Sequence, residues 1–203
     1  MRVADRLLQQ WRAGVARPWV PRGGRVLDVG CFQGEFLESL GDRIAPSVGL
    51  DPLVVPPETP GRHELMARWF EPPLAFEPGS FDAVVMLATL EHIRDKDPLA
   101  VECRRLLRPG GRVIVTVPSG RVDAIVDVLC RLGLADGMSL DEHHGFDPTR
   151  TPEVFARHGF EVEYAGRFQL GLNHLFVLRA PETPGASVGP RSRAASARAS
   201  VGS

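Results

Sequence analysis

Apolar positions along the chain follow two periods, and the switches between them mark out the elements. Over residues 4 to 16, Leu7, Leu8, Trp11 and Val15 recur at helical spacing, which predicts an amphipathic helix. The segment "RPWVPRGG" then breaks it. Beyond that point, the continuous apolar runs "RVLDVG", "SVGLD", "FDAVVML" and "RVIVTVPS" read as strands. Helical stretches separate them: "GEFLESL", "PLAVECRRLL" and "VDAIVDVLCRLGL", the last with Val122, Ile125, Val126, Leu129 and Cys130 on one face. "RPGG" at 108–111 reads as a helix stop followed by a turn. Unbroken apolar strands alternating with helices imply a parallel sheet covered on both faces, an α/β doubly wound architecture.

The end of the chain changes the pattern. "GFEVEYAGRF" and "NHLFVLRA" are two strand-like runs separated only by "QLGL", which is short enough to demand an antiparallel hairpin. The sheet is therefore expected to be mostly parallel, with a reversed strand near the C-terminal edge. From Pro181 onward the chain is rich in Pro, Gly, Ala and Ser, and its only larger apolar residues are two valines. Such a segment buries too little to offset its ordering entropy, and disorder is expected over 181–203. Residues 1–22 then form an N-terminal helix and linker, and 23–180 one domain.

Composition narrows the functional classes. The 203 residues are 43% hydrophobic, enough for one domain with a sizeable core. With 24 basic against 25 acidic residues, the net charge of −1 draws the protein neither to nucleic acid nor to an anionic membrane. Cys31, Cys103 and Cys130 are odd in number, widely spaced and without a CxxC, which argues against a disulfide framework and fits a reducing cytoplasm. The N-terminal stretch has no signal-peptide core, and the longest apolar run, "AVVMLATL", is too short to span a bilayer. A small-molecule partner is the expectation that remains.

The stretch "RVLDVGCFQGEFL" carries the chemistry. In open parallel sheets, ligands bind beyond the carboxyl ends of the strands. The first strand ends at Asp28-Val29-Gly30, and Gly30 and Gly34 flank "CFQ". A dinucleotide fingerprint would need glycines at 30, 32 and 35, but Phe32 and Glu35 stand at the last two. A pyrophosphate needs close backbone approach at the second glycine, and no P-loop lysine is present, so the phosphate readings weaken. A nicotinamide oxidoreductase is disfavoured with them.

The spacing D-x-G-x-x-x-G resembles motif I of the class I S-adenosylmethionine-dependent methyltransferases, differing from the usual D-x-G-C-G-x-G only at Phe32. Four further segments match in order: "VGLDP", "PGSFDAVVMLATLEHI", "LLRPGGRVIVTVPS" and the final strand pair. The resemblance covers residues 20 to 180 and implies the family's seven-stranded sheet. It also implies a methyl transfer from S-adenosylmethionine to a small-molecule acceptor, oxygen or nitrogen before carbon, leaving S-adenosylhomocysteine. The alternative is a cofactor-binding regulatory or scaffold module without turnover, favoured by Phe32 and by the altered segment "ARWFEPPLAF".

The same resemblance assigns roles by position. The turn at Gly30, Phe32 and Gly34 would receive the cofactor's methionine end, with Asp28 on its cationic side. Asp51 would accept hydrogen bonds from the ribose hydroxyls; its other reading is a turn cap before Pro52. Trp69 or Phe70 would pack on adenine, with Glu71 or backbone groups at its edge; otherwise the aromatics fill core at a strand end. Leu87 ends the fourth strand at the cofactor. His92 follows that strand, and Glu142, His143 and His144 fall in a polar stretch where the family covers its acceptor, so His143, His144 and His92 are the candidate bases. No metal site is read; one would require Glu91 and His92 joined by ligands from 142–144. Asp82 is expected to be structural, and His63 and His158 to lie on the surface.

Overall fold

The computed structural model describes residues 3–55, 59, 61–119 and 147–182. Its helices are α1 (Val3–Ala16), α2 (Glu35–Leu40), α3 (Lys96–Leu106) and α4 (Thr151–Ala156). Its strands are β1 (Val26–Val29), β2 (Val48–Leu50), β3 (Glu64–Met66), β4 (Phe81–Leu87), β5 (Leu107–Pro118), β6 (Glu161–Phe168) and β7 (Asn173–Arg179). They form one sheet in the order β3-β2-β1-β4-β5-β7-β6. β7 runs antiparallel to both neighbours, and the other pairings are parallel, as the short hairpin predicted. β1 lies between β2 and β4, so strand order reverses there and opens a crevice at the carboxyl ends.

The continuous apolar runs are explained by burial on both faces. Successive residues of each strand feed two cores. Leu27, Val84, Met86, Val113, Val115 and Leu178 pack with α3 and α4. Val26, Ala83, Val85, Ile114, Leu175 and Val177 pack with α1 and α2. β6 closes the sheet as a largely exposed edge.

Three local expectations are corrected. "RPGG" does not separate α3 from a strand, because β5 begins at Leu107 and includes it. The extra residues are taken up where Phe81 pairs Leu107 but Ala83 pairs Arg112, with Gly110 left-handed at φ 73°. His63 is buried rather than on the surface, and its Nδ1 accepts the Ser47 N–H at 3.2 Å at the start of β2. In α1, the large apolar residues Leu7, Leu8 and Trp11 are exposed, whereas Gln9, Arg12, Ala13 and Ala16, also at helical spacing, are turned inward. Of the expected apolar face, Val15 alone packs on the core, beside Ala13 and Ala16, with the longer Gln9 and Arg12 half-buried next to them.

Other readings hold. Asp82 is structural: its carboxylate accepts the Arg25 N–H at 2.7 Å, and its two oxygens share Arg108 Nη1 at 2.7 and 2.8 Å. His158 is partly exposed and pairs with Asp97 at 3.0 Å. The helix read at "VDAIVDVLCRLGL", Cys130 and the tail lie outside the described residues, apart from Pro181 and Glu182.

The loop between β3 and β4 hangs on one buried charge. Glu102 of α3 accepts the Leu74 N–H at 2.8 Å and both Nε and Nη2 of Arg105, at 2.9 and 2.7 Å. Arg105 in turn donates to the carbonyls of Leu74 and Phe76 at 2.9 and 2.7 Å. The bond from Arg105 holds the Glu102 carboxyl below its ordinary value. Glu102→Ala should cost about 2–4 kcal/mol in urea unfolding, because it leaves the Leu74 N–H and a guanidinium without their acceptor. A depressed carboxylate stabilises above its unfolded pKa. The wild type's advantage should therefore be full at neutral pH and shrink as pH falls through the carboxylate range.

Candidate active site

The site is built where β1 and β4 end. Gly30 leaves β1 in a left-handed conformation at φ 77°, and a Cβ placed on it would lie 2.2 Å from Thr89 Oγ1. Only glycine satisfies both the angle and the contact. The chain then passes through Phe32, also left-handed at φ 50°, and Gly34 at φ 84° into α2. Phe32 thus keeps the backbone that glycine adopts easily, at a cost of about 1–2 kcal/mol. The residue is 39% exposed and does not line the cavity beside the turn.

Every N–H from Gly30 to Gly34 is already bound within the protein. Gly30 and Cys31 donate to the Leu50 carbonyl at 2.8 and 3.3 Å, and Gly34 donates to the Cys31 carbonyl at 2.8 Å. Phe32 donates to Asp51 Oδ2 at 3.0 Å and Gln33 to Glu35 Oε2 at 3.2 Å. The Gln33 side chain then straps this turn to the one after β2, donating to the Leu53 carbonyl at 2.8 Å and accepting the Val55 N–H at 3.2 Å. The turn therefore offers no N–H to an anion, which accounts physically for the failed phosphate fingerprint.

Beside the turn lies a cavity of about 410 Å³. The ends of β1 and β4 contribute Asp28, Gly30 and Leu87 to it, and α2 contributes Glu35, Phe36 and Ser39. The opposite wall is α1, through Gln9, Gln10, Arg12 and Ala13. Asp28 is only 2% exposed, and its Oδ2 makes no hydrogen bond. Burial, with the nearby carboxylates of Asp51 and Glu35, pushes its pKa up to about 7. Arg12 Nε is likewise buried without a hydrogen-bond partner. Burial pulls the Arg12 guanidinium below its ordinary value, and the carboxylate of Glu91 pushes it back.

The structure sorts the residues read from sequence. Asp28, Gly30 and Leu87 come together at the cavity. Gly34 packs in the turn, where a Cβ would meet Leu65 at 2.9 Å. Asp51 follows β2 and holds the turn by accepting N–H groups from Phe32 and Leu53 at 3.0 and 2.8 Å. Phe70 packs on the core beneath the sheet, Trp69 is 65% exposed, and Glu71 is exposed; none of the three lines the cavity. His92 is exposed at the end of the turn Leu90–His92, whereas its neighbour Glu91 is buried and faces Arg12 and Lys96 electrostatically. Glu142, His143 and His144 lie outside the described residues. Among the described residues, no three His, Cys, Asp or Glu cluster as a metal site would require.

The α1 wall is absent from the sequence reading. Its signal was the spacing of Gln9, Arg12, Ala13 and Ala16, hidden by the larger apolar residues on the other face.

Known proteins resemble this chain in sequence and in fold. A family model described as a methyltransferase domain matches residues 2–165. The ubiquinone biosynthesis O-methyltransferase of Pseudomonas aeruginosa is 34% identical over 113 residues, covering 52% of this chain and 46% of that protein. The chain thus spans about half the length of the curated relatives it matches. An S-adenosylmethionine dependent methyltransferase from Mesorhizobium loti superposes with a TM-score of 0.62 at 17% identity, over 85% of this chain and 99% of that one. The 1,6-didemethyltoxoflavin-N1-methyltransferase of Burkholderia thailandensis, solved with 1,6-didemethyltoxoflavin and S-adenosylhomocysteine, superposes with a TM-score of 0.63 at 19% identity. It covers 86% of this chain and 78% of that one. Among the described residues, no helix is long and apolar enough to cross a membrane.

The burial of Asp28 has a consequence for stability. A carboxyl raised from 3.8 to about 7 on folding favours the fold only while protonated, so its cost grows as pH rises across that window and is complete above about 7. Asp28→Asn, neutral at every pH, should melt higher than wild type at pH 8, and the difference should shrink toward pH 4. Thermal unfolding across pH 4 to 8 checks this, and an equal or lower melting temperature at pH 8 would contradict it.

Proposed function

Since the chain belongs to the class I S-adenosylmethionine-dependent methyltransferase family, we propose that it binds S-adenosylmethionine and methylates a small-molecule acceptor at oxygen or nitrogen. The observation that carries this reading is the buried Asp28 carboxylate, with one oxygen unbonded, at a cavity where strand order reverses. A carboxyl with a pKa near 7 in that position suits a ligand that brings its own cation, as the ammonium of an amino acid does. When bound, S-adenosylmethionine supplies a methyl group activated by its sulfonium sulfur.

The protein's part is placement and exclusion of water. Asp28 receives the ammonium. Asp51, already fixed by two backbone N–H groups, has further lone pairs for the ribose hydroxyls. Trp69, exposed beyond the cavity, is the ring proposed for an adenine that extends past it. Leu87 and the α1 wall shield the reacting end from solvent. As the acceptor's oxygen or nitrogen bonds to the methyl carbon and the carbon–sulfur bond breaks, the acceptor's proton passes to a base. His143, His144 and His92 are proposed for that base, in that order of preference. The alternative of a binding module without turnover drew its support from Phe32 and from the altered segment "ARWFEPPLAF"; the left-handed backbone at Phe32 speaks against the first of these.

S-adenosylhomocysteine should raise the melting temperature in proportion to the logarithm of its concentration, with micromolar affinity by calorimetry. Its affinity should fall as pH drops below about 7, because protonated Asp28 no longer attracts the ammonium. Asp51→Ala should weaken binding by about 2–4 kcal/mol. No stabilisation at millimolar ligand would refute the cofactor assignment.

With a panel of phenols and amines as acceptors, S-adenosylhomocysteine release reports turnover. Replacing the base by alanine at 143, 144 or 92 should slow turnover by about 10²- to 10⁴-fold while cofactor affinity holds. Full turnover in all three variants would point to an acceptor that needs no base.

A further inference from the structure

S-adenosylmethionine carries two charges on its amino-acid end, and the proposed function places only the ammonium, at Asp28. The α-carboxylate needs its own receptor. The glycine turn cannot supply one, because every N–H from Gly30 to Gly34 is already committed inside the protein. The start of α2 is unsuited as well. It carries Glu35 and Glu38 in its first turn, and Glu35 itself lines the cavity. A carboxylate arriving there would meet like charge.

On the far wall, Arg12 is the one cation among the described residues that line the cavity. Its Nε is buried and makes no hydrogen bond, an unsatisfied donor beside a cavity with space for a ligand. Glu91, itself buried, stabilises the guanidinium electrostatically from outside the cavity lining, so the charge is retained despite burial. Gln9 and Gln10 add side-chain amides on the same wall.

We propose that Arg12 of α1 is the receptor for the cofactor's α-carboxylate, so that the amino-acid end is gripped between Asp28 at the sheet and Arg12 on the helix. This rests on the assignment of the cavity to S-adenosylmethionine. It makes α1 part of the cofactor site rather than a cover for it.

The test uses three ligands by calorimetry: S-adenosylhomocysteine, its decarboxylated analogue with the ammonium retained, and 5′-deoxy-5′-methylthioadenosine, which lacks both charges. The full-length wild type should prefer S-adenosylhomocysteine to the decarboxylated analogue by about 10- to 100-fold, the range of one charge-assisted pair. Arg12→Met should remove that preference by weakening only S-adenosylhomocysteine, leaving the other two ligands within about threefold. Arg12→Lys should retain part of the preference, and it serves as the second variant if the methionine variant does not fold. Equal weakening of all three ligands by Arg12→Met would reduce Arg12 to a structural support and overturn the proposal. So would undiminished discrimination in both variants. A wild type that binds none of the three ligands would overturn the cofactor assignment itself, and this inference with it.

Discussion

The seam between Gly30 and Thr89 is the constraint on which the site depends. The end of β1 presses so closely on the loop after β4 that a Cβ on Gly30 would overlap the threonine side chain. Asp28 stands two residues before Gly30, and Leu87 two residues before Thr89. The contact therefore fixes the relative placement of the two side chains that the sheet points into the cavity. It also forms at the reversal of strand order, where neighbouring connections leave to opposite faces and a crevice must open. A substitution at Gly30 would displace this floor before it touched any ligand.

Around that seam the protein tolerates unfavourable features. A carboxylate is buried with one oxygen unbonded, a guanidinium nitrogen is buried without an acceptor, and a phenylalanine takes a left-handed backbone. Each opposes folding, and all three fall at one end of the sheet. The two apolar cores on the sheet's faces hold the fold against them. An unbonded carboxylate oxygen and an unbonded guanidinium nitrogen meeting at one cavity suit a surface shaped for a ligand.

The sheet was legible in the sequence because burial on both faces leaves unbroken apolar runs, and because the "QLGL" connection permits only a reversed strand. The ligand turn was legible through Gly30 and Gly34, whose spacing reflects left-handed angles and close contacts. Other features were hidden for physical reasons. β3 is only three residues long and half exposed, so it carries almost no apolar pattern. "RPGG" has the composition of a turn, yet strand pairing absorbs it as an irregularity. His63 gives no local sign of burial, because its partner Ser47 comes from the strand beside it. Arg12 was the least legible: hydrophobic periodicity directs attention to the apolar side chains of α1, and a charged residue gives no local sign that it faces the cavity.

The α1 wall has a thermodynamic consequence. Much of the cavity is formed by a helix from the beginning of the chain rather than by the rigid sheet. A ligand held between the two binds only when the helix is docked, so its affinity contains the free energy of that docking. By reciprocity, the ligand must strengthen docking by the same amount that docking strengthens the ligand. Changes on the outer face of α1, far from any bound group, would thus tune affinity without altering a single contact to it. Leu7, Leu8 and Trp11 are the exposed apolar side chains of that face, so substitutions there would reach the ligand only through the helix.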